Sequence, residues 1–494
     1  MEIFSTYSSF SSILPEISLS FFILTLLIFG VFFSDNFLYS YLEIGSLISN
    51  LKQIFFFLLL LNFFYILEPL AFFYNNSIFF NHSSFFLRGF SIFVLLCLSL
   101  CSYNYLFIKK LKQIEYSFFA MFSVLGSLIL ICANDTLSIF LALELQSLSF
   151  YLMSAYNLNS SFSVESGLKY FILGSVASFF FLFGLSLLYL NTGSFSIQVM
   201  QGILNLMNYN PTLIFIGFIF CIIGLSFKLG VAPFHFWISD IYEGSPTPAT
   251  MFFSLVPKTA IFLTLIKILL FSNNTPNQLF LLNLIHFFGI CSIIFGSLGA
   301  VFQRKMKRLL AFSTVTHTGF ILFALSNLDA EGLKAMWFYF FFYLLTNFGL
   351  FLYILSTTTK KSIFKYLINW SSFSKHNKVL ILTFSLILLS SSGIPPLFGF
   401  FSKMLVFICL LQNQKILISL VLITFSTISC FYYIRLIKIF YFSQGGVLLS
   451  KLNNKINLNP NEIFISILFI ITISILFFLN NPFWLSGLLG ILLT

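Results

Sequence analysis

Long apolar runs recur along the whole sequence and limit the possible folds more than any other feature. A helix needs about 20 apolar residues to cross a hydrocarbon core about 30 Å thick. Runs of this kind fall at 17–33, 53–73, 85–107, 116–133, 135–156, 163–190, 212–232, 247–271, 279–302, 309–327, 333–356, 379–410, 416–442 and 462–480. The sequence therefore predicts an all-α integral membrane protein with about 14 transmembrane helices.

The composition excludes several classes of protein. Hydrophobic residues make up 59% and charged residues 8% of the 494 residues, which leaves too little polar surface for a soluble protein of this size. Basic loops on one membrane face explain the net charge of +11, so nucleic-acid binding is not expected. The chain has no glycine-rich nucleotide motif, and its seven cysteines include no CxxC pair. We expect no cofactor or metal in this chain and interpret the cysteines as packing residues.

The basic loops also predict an orientation. Clusters of lysine and arginine follow the third, ninth, eleventh and thirteenth runs, and all four therefore lie on one membrane face. They occupy positions 109–112, 304–308, 360–378 and 451–455. Loops after even-numbered runs are nearly uncharged or mildly acidic. The positive-inside rule then puts both termini on the face opposite the clusters.

Two runs combine helix breakers with a lysine. In the seventh run Gly230 and Pro233 follow Lys228, and in the twelfth run Gly393 precedes Lys403. Each is the fourth run of a five-run block, and five crossings invert the second block relative to the first. Paired broken helices in inverted repeats are typical of ion transporters. The predicted domains are an N-terminal three-helix bundle (1–115), two inverted repeats (116–272 and 273–442) and a C-terminal loop with a last helix (443–494).

Ionisable side chains inside the apolar runs are the candidate functional residues. A charge at the bilayer centre costs roughly 2.5 to 3.5 kcal/mol on insertion scales, so such residues are functional by default. Glu144 lies deep in the fifth run and needs a counter-ion, for which Lys169 in the sixth run is the expected partner. The alternative is a static pair that only fixes helix packing. The same two interpretations apply to Lys228, Lys258 and Lys403.

Other polar side chains within the runs favour different roles. For His317, near the middle of the tenth run, a role in proton relay is slightly favoured over a packing role. For His235, backbone capping and proton relay are equally favoured, whereas His286 is expected to be a hydrogen-bonded packing residue. Lys267 and Arg435 lie near run ends, where a long stem can carry the charge to the interface.

Two further segments are predicted to be structural. Asn134 and Asp135 stand where the fifth run begins, as expected of a helix N-cap. The stretch 242–248 contains two prolines and a glycine and is interpreted as a turn that fixes the next helix.

Two observations favour synthesis inside an organelle. Acidic residues stand at Glu2 and Glu16 and no basic residue precedes Lys52, which argues against a signal or transit peptide. The 74 phenylalanines exceed what packing against lipid requires and are explained by an AT-rich organelle genome.

Five motifs occur in a fixed order: SFKLGVAPFHFW (226–237), DIYEGSPTP (240–248), KRLLAFS (307–313), HTG (317–319) and GIPPLFGFFSK (393–403). Together they resemble the antiporter-like membrane subunits of respiratory complex I, the proton-pumping NADH:ubiquinone oxidoreductase. The resemblance covers about residues 115–440. The YEGSPTP run followed by Lys258 is most similar to the subunit 2 branch of that family.

The resemblance implies a function for this chain, namely proton translocation coupled to redox chemistry in partner subunits. NADH, FMN, iron-sulfur clusters and ubiquinone would all bind to those partners. The implied partners are lipids and other membrane-arm subunits of complex I, including antiporter-like subunit 4. The implied proton-path residues are Glu144, Lys169, Lys228, Lys258 and Lys403.

The resemblance also implies a location, the mitochondrial inner membrane, with Lys305 and Lys361 facing the matrix. Three alternatives stay open. An independent cation/proton antiporter would be isolated without flavin or iron-sulfur partners. A structural spacer subunit of the same complex would tolerate neutral replacement of Glu144 and Lys228. The related chloroplast complex differs in its partners rather than in its mechanism.

Overall fold

The computed structural model describes residues 2–33, 54, 58, 71–73, 77–109, 111–205, 210–272, 275–356, 365–370, 378–395 and 397–442. This part of the chain is mostly helical, and many of its helices are long and apolar enough to cross a membrane. The predicted class, a helical membrane protein, is therefore confirmed. One small antiparallel hairpin, β1 (Ala71–Phe73) with β2 (Ile78–Phe80), is the exception among the described residues.

The helices follow the apolar runs. They are α1 (Glu2–Phe33), α2 (His82–Ile108), α3 (Gln113–Cys132), α4 (Thr136–Ser154), α5 (Ser161–Thr192), α6 (Ile197–Asn205), α7 (Pro211–Leu229), α8 (Phe236–Gly244), α9 (Thr247–Phe271), α10 (Gln278–Phe302), α11 (Met306–Leu325), α12 (Ala330–Ser356), α13 (Lys378–Ser392), α14 (Phe398–Gln412) and α15 (Ile416–Phe442).

Both predicted breaks are present. The seventh run ends as α7 and continues, after a short non-helical segment, into α8; the twelfth run is divided into α13 and α14. Gly230 and Gly393 have φ values of +73° and +85°, a left-handed conformation that favours glycine and commonly ends a helix. The runs predicted at 53–73 and 462–480 lie almost wholly outside the described residues, so the expected total of about 14 helices stays a prediction.

The chain divides into two compact units. The first unit comprises the residues up to Leu229 together with Gly244–Leu279. Nearly all of α9 is buried, and it contacts α2, α3, α4 and α7. Helices α5 and α7 approach closely, since a Cβ on Gly184 would lie 2.7 Å from the carbonyl of Gly217. Small residues permit such close packing of helices in membranes.

The second unit comprises Gly230–Glu243 and the residues from Phe280 onward. Its innermost helices are α11 and α12, which pack against each other and are almost completely buried. Helix α14 contacts both, and α13 and α15 pack together at the side of this group. The break at Gly393 therefore lies beside the centre of the unit.

Each unit has a short link whose backbone pairs with a later loop in the same pattern. In the first unit the bonds are Thr136 N to Phe195 O (2.9 Å) and Ile197 N to Asn134 O (3.2 Å). In the second unit they are Met306 N to Lys365 O (3.1 Å) and Leu367 N to Arg304 O (3.0 Å). The positions opposite each other are 61 residues apart in both units (135 to 196 and 305 to 366).

Two local predictions need correction. Residues 242–248 are not one turn but the end of α8, a two-residue link and the first turn of α9. Pro248 lies in that first turn, where a missing N–H costs no helical hydrogen bond. Asp135 is the N-cap residue of α4 as predicted, but its side chain makes no capping hydrogen bond.

Lys267 and Arg435 cap helix ends, and the expectation that their charges reach the membrane interface stays a prediction. Lys267 Nζ donates to Ile131 O (2.8 Å) and Ala133 O (2.6 Å) at the C-terminal end of α3. Arg435 donates through Nη1 to Val301 O (2.7 Å) and through Nη2 to Gln303 O (2.8 Å) at the C-terminal end of α10. The last carbonyls of a helix have no intrahelical partner, so each cation caps a helix end within its own unit.

Candidate functional site

An ion pair lies beside the first helix break. Glu144 Oε1, in the middle of α4, is 3.5 Å from Lys228 Nζ, in the last turn of α7. The side chains of Lys228 and Glu144 are 9% and 28% exposed, respectively. Burial of either charge alone would be strongly unfavourable, so the two compensate each other. The C-terminal end of α7 adds partial negative charge near the lysine.

The predicted partner of Glu144 was Lys169, and the structure corrects this pairing. Lys169 Nζ lies 2.8 Å from Glu165 Oε1, one turn earlier on α5. Both side chains of that pair are far more exposed, at 43% and 58%. Helix α7 ends at the level of the Glu144 carboxylate and brings Lys228 to it. Lys169 instead pairs with Glu165 on its own helix, because residues four apart lie on the same helix face.

Lys258 lies in α9, the most buried helix of the first unit, and only 3% of the residue is exposed. Pro257 precedes it inside the helix. Because proline has no N–H to donate, one helical hydrogen bond is missing beside the lysine. The lysine thus lies next to the irregular point of an otherwise apolar helix.

Lys403 is the buried lysine of the second unit. Its Nζ donates to Ser392 O (2.6 Å), a carbonyl at the C-terminal end of α13. It also lies 5.6 Å from the ring centroid of Phe320. A Cβ on Gly393 would come within 2.8 Å of Lys403 Cδ, so the glycine leaves space for this side chain. The ammonium therefore interacts with a backbone carbonyl and an aromatic face.

His317 in α11 connects two tyrosines of the second unit. Its Nδ1 lies 2.9 Å from Tyr339 Oη and its Nε2 lies 3.0 Å from Tyr433 Oη. The imidazole is buried, and both ring nitrogens have a hydroxyl that can donate or accept a proton. This geometry fits the predicted relay role better than a packing role.

A polar path leads from His317 toward Lys403. The side chain of Ser391, near the end of α13, lies close to the hydroxyl of Tyr433. The next residue, Ser392, supplies the carbonyl that accepts from Lys403. Polar groups of His317, Tyr433 and the end of α13 thus lie near one another, which the sequence did not reveal because the tyrosine lies 116 residues from the histidine.

His235 has a different environment from His317. Its carbonyl accepts from Ile238 N (3.1 Å) in the first turn of α8. Its imidazole stacks on Phe236 and on Phe295, and Nδ1 has no hydrogen-bond partner among the described residues. The backbone of His235 therefore accepts a hydrogen bond from the first turn of α8, and its ring packs against aromatic side chains.

A charged cluster connects α8 to the start of α11. Arg308 Nη2 lies 2.9 Å from Asp240 Oδ1, and Glu243 pairs with both Arg308 and Lys305. The acids and the bases are each spaced three residues apart, so that each pair faces the other from one side of its helix. This equal spacing is the sequence signal that would have identified the cluster.

A second buried pair joins the first two described helices. Arg88 Nη1 lies 2.9 Å from Glu16 Oε1, and the guanidinium lies 4.5 Å from the ring centroids of Phe80 and Phe85. Arg88 is completely buried. The pair was missed because neither residue stands near a motif, although an arginine inside an apolar run is itself a signal.

Cysteine and acidic side chains are the remaining potential metal ligands of the chain. All seven cysteines are free thiols, and five of them are buried. Within the described ranges, no group of three or more His, Cys, Asp or Glu side chains is arranged to hold a metal ion. The burial of the thiols fits the packing role that we expected.

A profile of the NADH:quinone oxidoreductase/Mrp antiporter transmembrane family matches residues 133–429. NADH-ubiquinone oxidoreductase chain 2 of Marchantia polymorpha is 36% identical to this chain over 450 residues, covering 88% of this chain and 89% of that protein. All six residues predicted for the proton path lie inside the region that the profile matches.

Two solved structures share the fold. A chain of the archaeal membrane-bound sulfane sulfur reductase superposes with a TM-score of 0.84 at 22% identity, over 98% of this chain and 97% of that one. A chain of respiratory complex I from Thermus thermophilus, with bound aureothin, gives 0.72 at 23% identity, over 94% and 96%. The match to the profile and the identity to chain 2 together show that this chain belongs to the NADH:quinone oxidoreductase/Mrp antiporter transmembrane family.

Proposed function

We propose that the protein is a proton-translocating membrane subunit of NADH:ubiquinone oxidoreductase in the mitochondrial inner membrane. The long similarity to a relative named chain 2 of that enzyme supports this assignment. Electron transfer through NADH, FMN, iron-sulfur clusters and ubiquinone takes place in partner subunits, and this chain holds no redox group. Its neighbours are other membrane-arm subunits, antiporter-like subunit 4 among them. Lys305 and Lys361 face the matrix; Lys361 lies outside the described residues.

The ion pair between Glu144 and Lys228 carries the proposal. A carboxylate and an ammonium in contact exist either as two charges or, after one proton moves from Nζ to Oε1, as two neutral groups. The broken helix next to the pair frees backbone groups, and such breaks are tolerated in membranes where they face protein or water. A proton can therefore move between the two side chains without changing the net charge of the pair, and the pair carries one positive charge after it accepts a further proton and until it passes that proton on.

The other lysines are assigned as further carriers. Lys258 and Lys403 are buried, so a charge on either is costly and its proton is readily passed on. A positive charge gained by Lys228 repels one on Lys258 in the same unit, which favours release from Lys258. His317 and its two tyrosines relay protons to and from Lys403. Lys169 is retained as a proton-path residue on the strength of the family resemblance.

We also infer that the chain contains two inverted repeats of five membrane spans each, one from α3 to α9 and one from α10 to α15. Here α7 with α8, and α13 with α14, each count as one broken span, and the short helix α6 is not counted. The paired links and the capped helix ends support this inference. Four positions in the first repeat lie 170 residues before their counterparts (131 and 301, 133 and 303, 135 and 305, 196 and 366). Equal offsets at separate contacts are expected of a duplicated unit.

The function is tested by comparing Lys258→Arg with Lys258→Ala in the assembled complex. Arginine stays charged at all accessible pH values, so it cannot release a proton even where it fits. We expect both variants to assemble, to transfer electrons and to lose proton pumping to the same extent. Pumping by the arginine variant at the parental level would show that Lys258 does not carry protons.

Lys267→Arg on the same helix is the matched control. Lys267 donates only to backbone carbonyls in the described structure, a role that arginine fills in the second unit. We expect this variant to pump normally. Isolation of the chain in complex with flavin and iron-sulfur subunits distinguishes the proposal from an independent cation/proton antiporter.

A further inference from the structure

One end of the second unit carries a polar cluster that the proposed carriers do not use. His286 of α10 is hydrogen-bonded through Nε2 to Lys415 Nζ and through Nδ1 to Ser326 Oγ (2.9 Å). Lys415 also donates to Asn327 Oδ1 (2.7 Å). Ser326 and Asn327 directly follow α11, and Lys415 directly precedes α15. Three separate segments of the chain therefore converge on one histidine.

The hydrogen bonds determine where the protons are. Ser326 Oγ donates to Phe323 O (2.8 Å), so it accepts from His286 Nδ1–H. The other ring nitrogen, Nε2, is then an acceptor and receives a hydrogen bond from the Lys415 ammonium. The cluster thus contains a neutral imidazole and a charged lysine that share one hydrogen bond.

The cluster runs from the interior of the unit to its surface. His286 is buried, Lys415 and Asn327 are partly exposed, and Asp329 is exposed. Asn413 Nδ2 donates to Asp329 Oδ2 (2.9 Å) at the outer end. The link 413–415 lies between α14 and α15 and outside the membrane-spanning helices. The cluster therefore offers a polar route through the end of the helix bundle.

The inner end of this route lies near the level of Lys403. Phe320 lies against the Lys403 ammonium, and Phe323 lies against His286 with ring centroids 6.0 Å apart. The two phenylalanines are three residues apart on α11, which corresponds to a rise of about 4.5 Å. Measured along α11, the level of His286 thus differs from that of Lys403 by about one helical turn, in the direction of the link.

From this geometry we propose that His286 and Lys415 form the port through which the second unit exchanges protons with the aqueous phase on the side of the 413–415 link. The proposal rests on the function proposed above. For uptake, one N–H bond of the Lys415 ammonium breaks and an N–H bond forms at His286 Nε2. The neutral amine then takes a proton from hydronium in the aqueous phase, and the imidazolium passes one, through water, to the neutral amine of Lys403. Release to the aqueous phase follows the same steps in reverse.

The charges around Lys415 are compatible with this exchange. Burial lowers the pKa of the Lys415 ammonium, whereas the nearby Cys409 and Asp329 groups raise it in part. The amine therefore gives up its proton more readily than an ordinary surface lysine. Cys409 accepts a hydrogen bond from Asn327 Nδ2 (3.0 Å), so it belongs to the same group of contacts.

The port is tested with Lys415→Arg and His286→Gln in the assembled complex. Arginine keeps the charge and the donors to His286 and Asn327 but does not release a proton. Glutamine keeps hydrogen-bonding capacity at position 286 but does not titrate. We expect each variant to lose as many pumped protons per electron as Lys403→Ala does, with the complex still assembled.

Lys334→Arg is the matched control. Lys334 forms an ion pair with Glu331 (3.0 Å) close to the same end of the unit, and this pair includes none of the cluster residues. It should pump at the parental level. Parental pumping by Lys415→Arg or His286→Gln, together with a loss in Lys403→Ala, would overturn the port and leave the proposed function intact. Parental pumping by Lys403→Ala as well would overturn the proposed function.

Discussion

In the first unit the lysine beside the helix break faces a carboxylate, whereas in the second unit it faces a backbone carbonyl. Both lysines nevertheless meet the same structural feature. Lys228 lies in the last turn of α7, and Lys403 reaches back to the last residue of α13. The C-terminal end of a helix carries partial negative charge. A helix end is thus common to the two sites, and the carboxylate is what distinguishes them.

The two sites therefore stabilise a charged lysine inside the membrane in different ways. The pair of Glu144 and Lys228 is neutral overall, so its burial costs less than burial of either charge alone as long as both partners remain. Lys403 keeps a net positive charge, which only the carbonyl dipole and the face of Phe320 offset. We therefore expect proton translocation by the first unit to depend on the Glu144 carboxylate. In the second unit we expect it to depend on the backbone conformation at the helix break.

The largest expected effect follows removal of the counter-ion. Glu144→Gln preserves the shape of the side chain but leaves Lys228 unpaired. A hydrogen bond to a charged group contributes about 1.5 to 3 kcal/mol, and about 1.4 kcal/mol is a factor of ten. We expect the complex to assemble and most of the pumping by the first unit to be lost, measured as protons per electron in sealed vesicles.

Glu115→Gln is the control for this experiment, because it also removes the carboxylate partner of a lysine in the first unit, Lys112, which lies outside the proposed proton path. That pair is largely exposed, and such exposed ion pairs contribute about 0.2 to 1 kcal/mol. Its loss should change pumping little. If the two glutamine variants behaved alike, the counter-ion of Lys228 would have no special role and a spacer function would be favoured.

An intermediate effect is expected at the two glycines. Alanine in a left-handed conformation costs about 1 to 2 kcal/mol, so Gly230→Ala and Gly393→Ala should both lower the thermal stability of the complex. The new methyl group at position 393 would also come within 2.8 Å of Lys403 Cδ, whereas at position 230 it meets Ile238. Only Gly393→Ala should therefore reduce pumping by more than it reduces assembly. An equal loss in both variants would contradict the dependence of Lys403 on the break.

The smallest effect is expected at the caps, where the two units are alike. Arg435→Lys exchanges one cation for the other, and a lysine already fills the corresponding role in the first unit. We expect a change in the free energy of unfolding below about 1 kcal/mol. Arg435→Met leaves two carbonyls without this donor and should cost more, about 1 to 3 kcal/mol. Thermal unfolding of the purified complex distinguishes the two.

The sequence predicted the helices and their breaks because both follow from strong local signals. Apolar length locates a membrane helix, and glycine with proline locates its interruption. Glu144, Lys228 and Lys403 were identified for the same reason, since a charge in an apolar run is conspicuous. The pairing of Glu144 was not predicted, because nothing local shows which of several lysines a fold brings to it.

A sequence does not show which side chains will bind backbone atoms or distant residues. Most of the contacts that were not predicted are of this kind. The carbonyls that Lys267 and Arg435 cap lie about 130 residues away in sequence, so these contacts were not predicted. Lys415 was not singled out because it stands in a short polar link that looks like an ordinary loop. His286 was interpreted as a hydrogen-bonded packing residue, but its partner Lys415 was not predicted because it lies 129 residues away.

The paired links of the two units have a consequence for membrane insertion. Their main-chain hydrogen bonds are the same, yet Asp135 stands at the paired position of one link and Lys305 at that of the other. Because the backbone makes the contact, the side chains are free to differ in charge without altering the geometry. Basic residues near helix ends direct the orientation that a segment takes during biogenesis. In the proposed inverted repeats, two segments with the same backbone contacts would thus insert into the bilayer in opposite orientations, and side-chain charge alone would determine which.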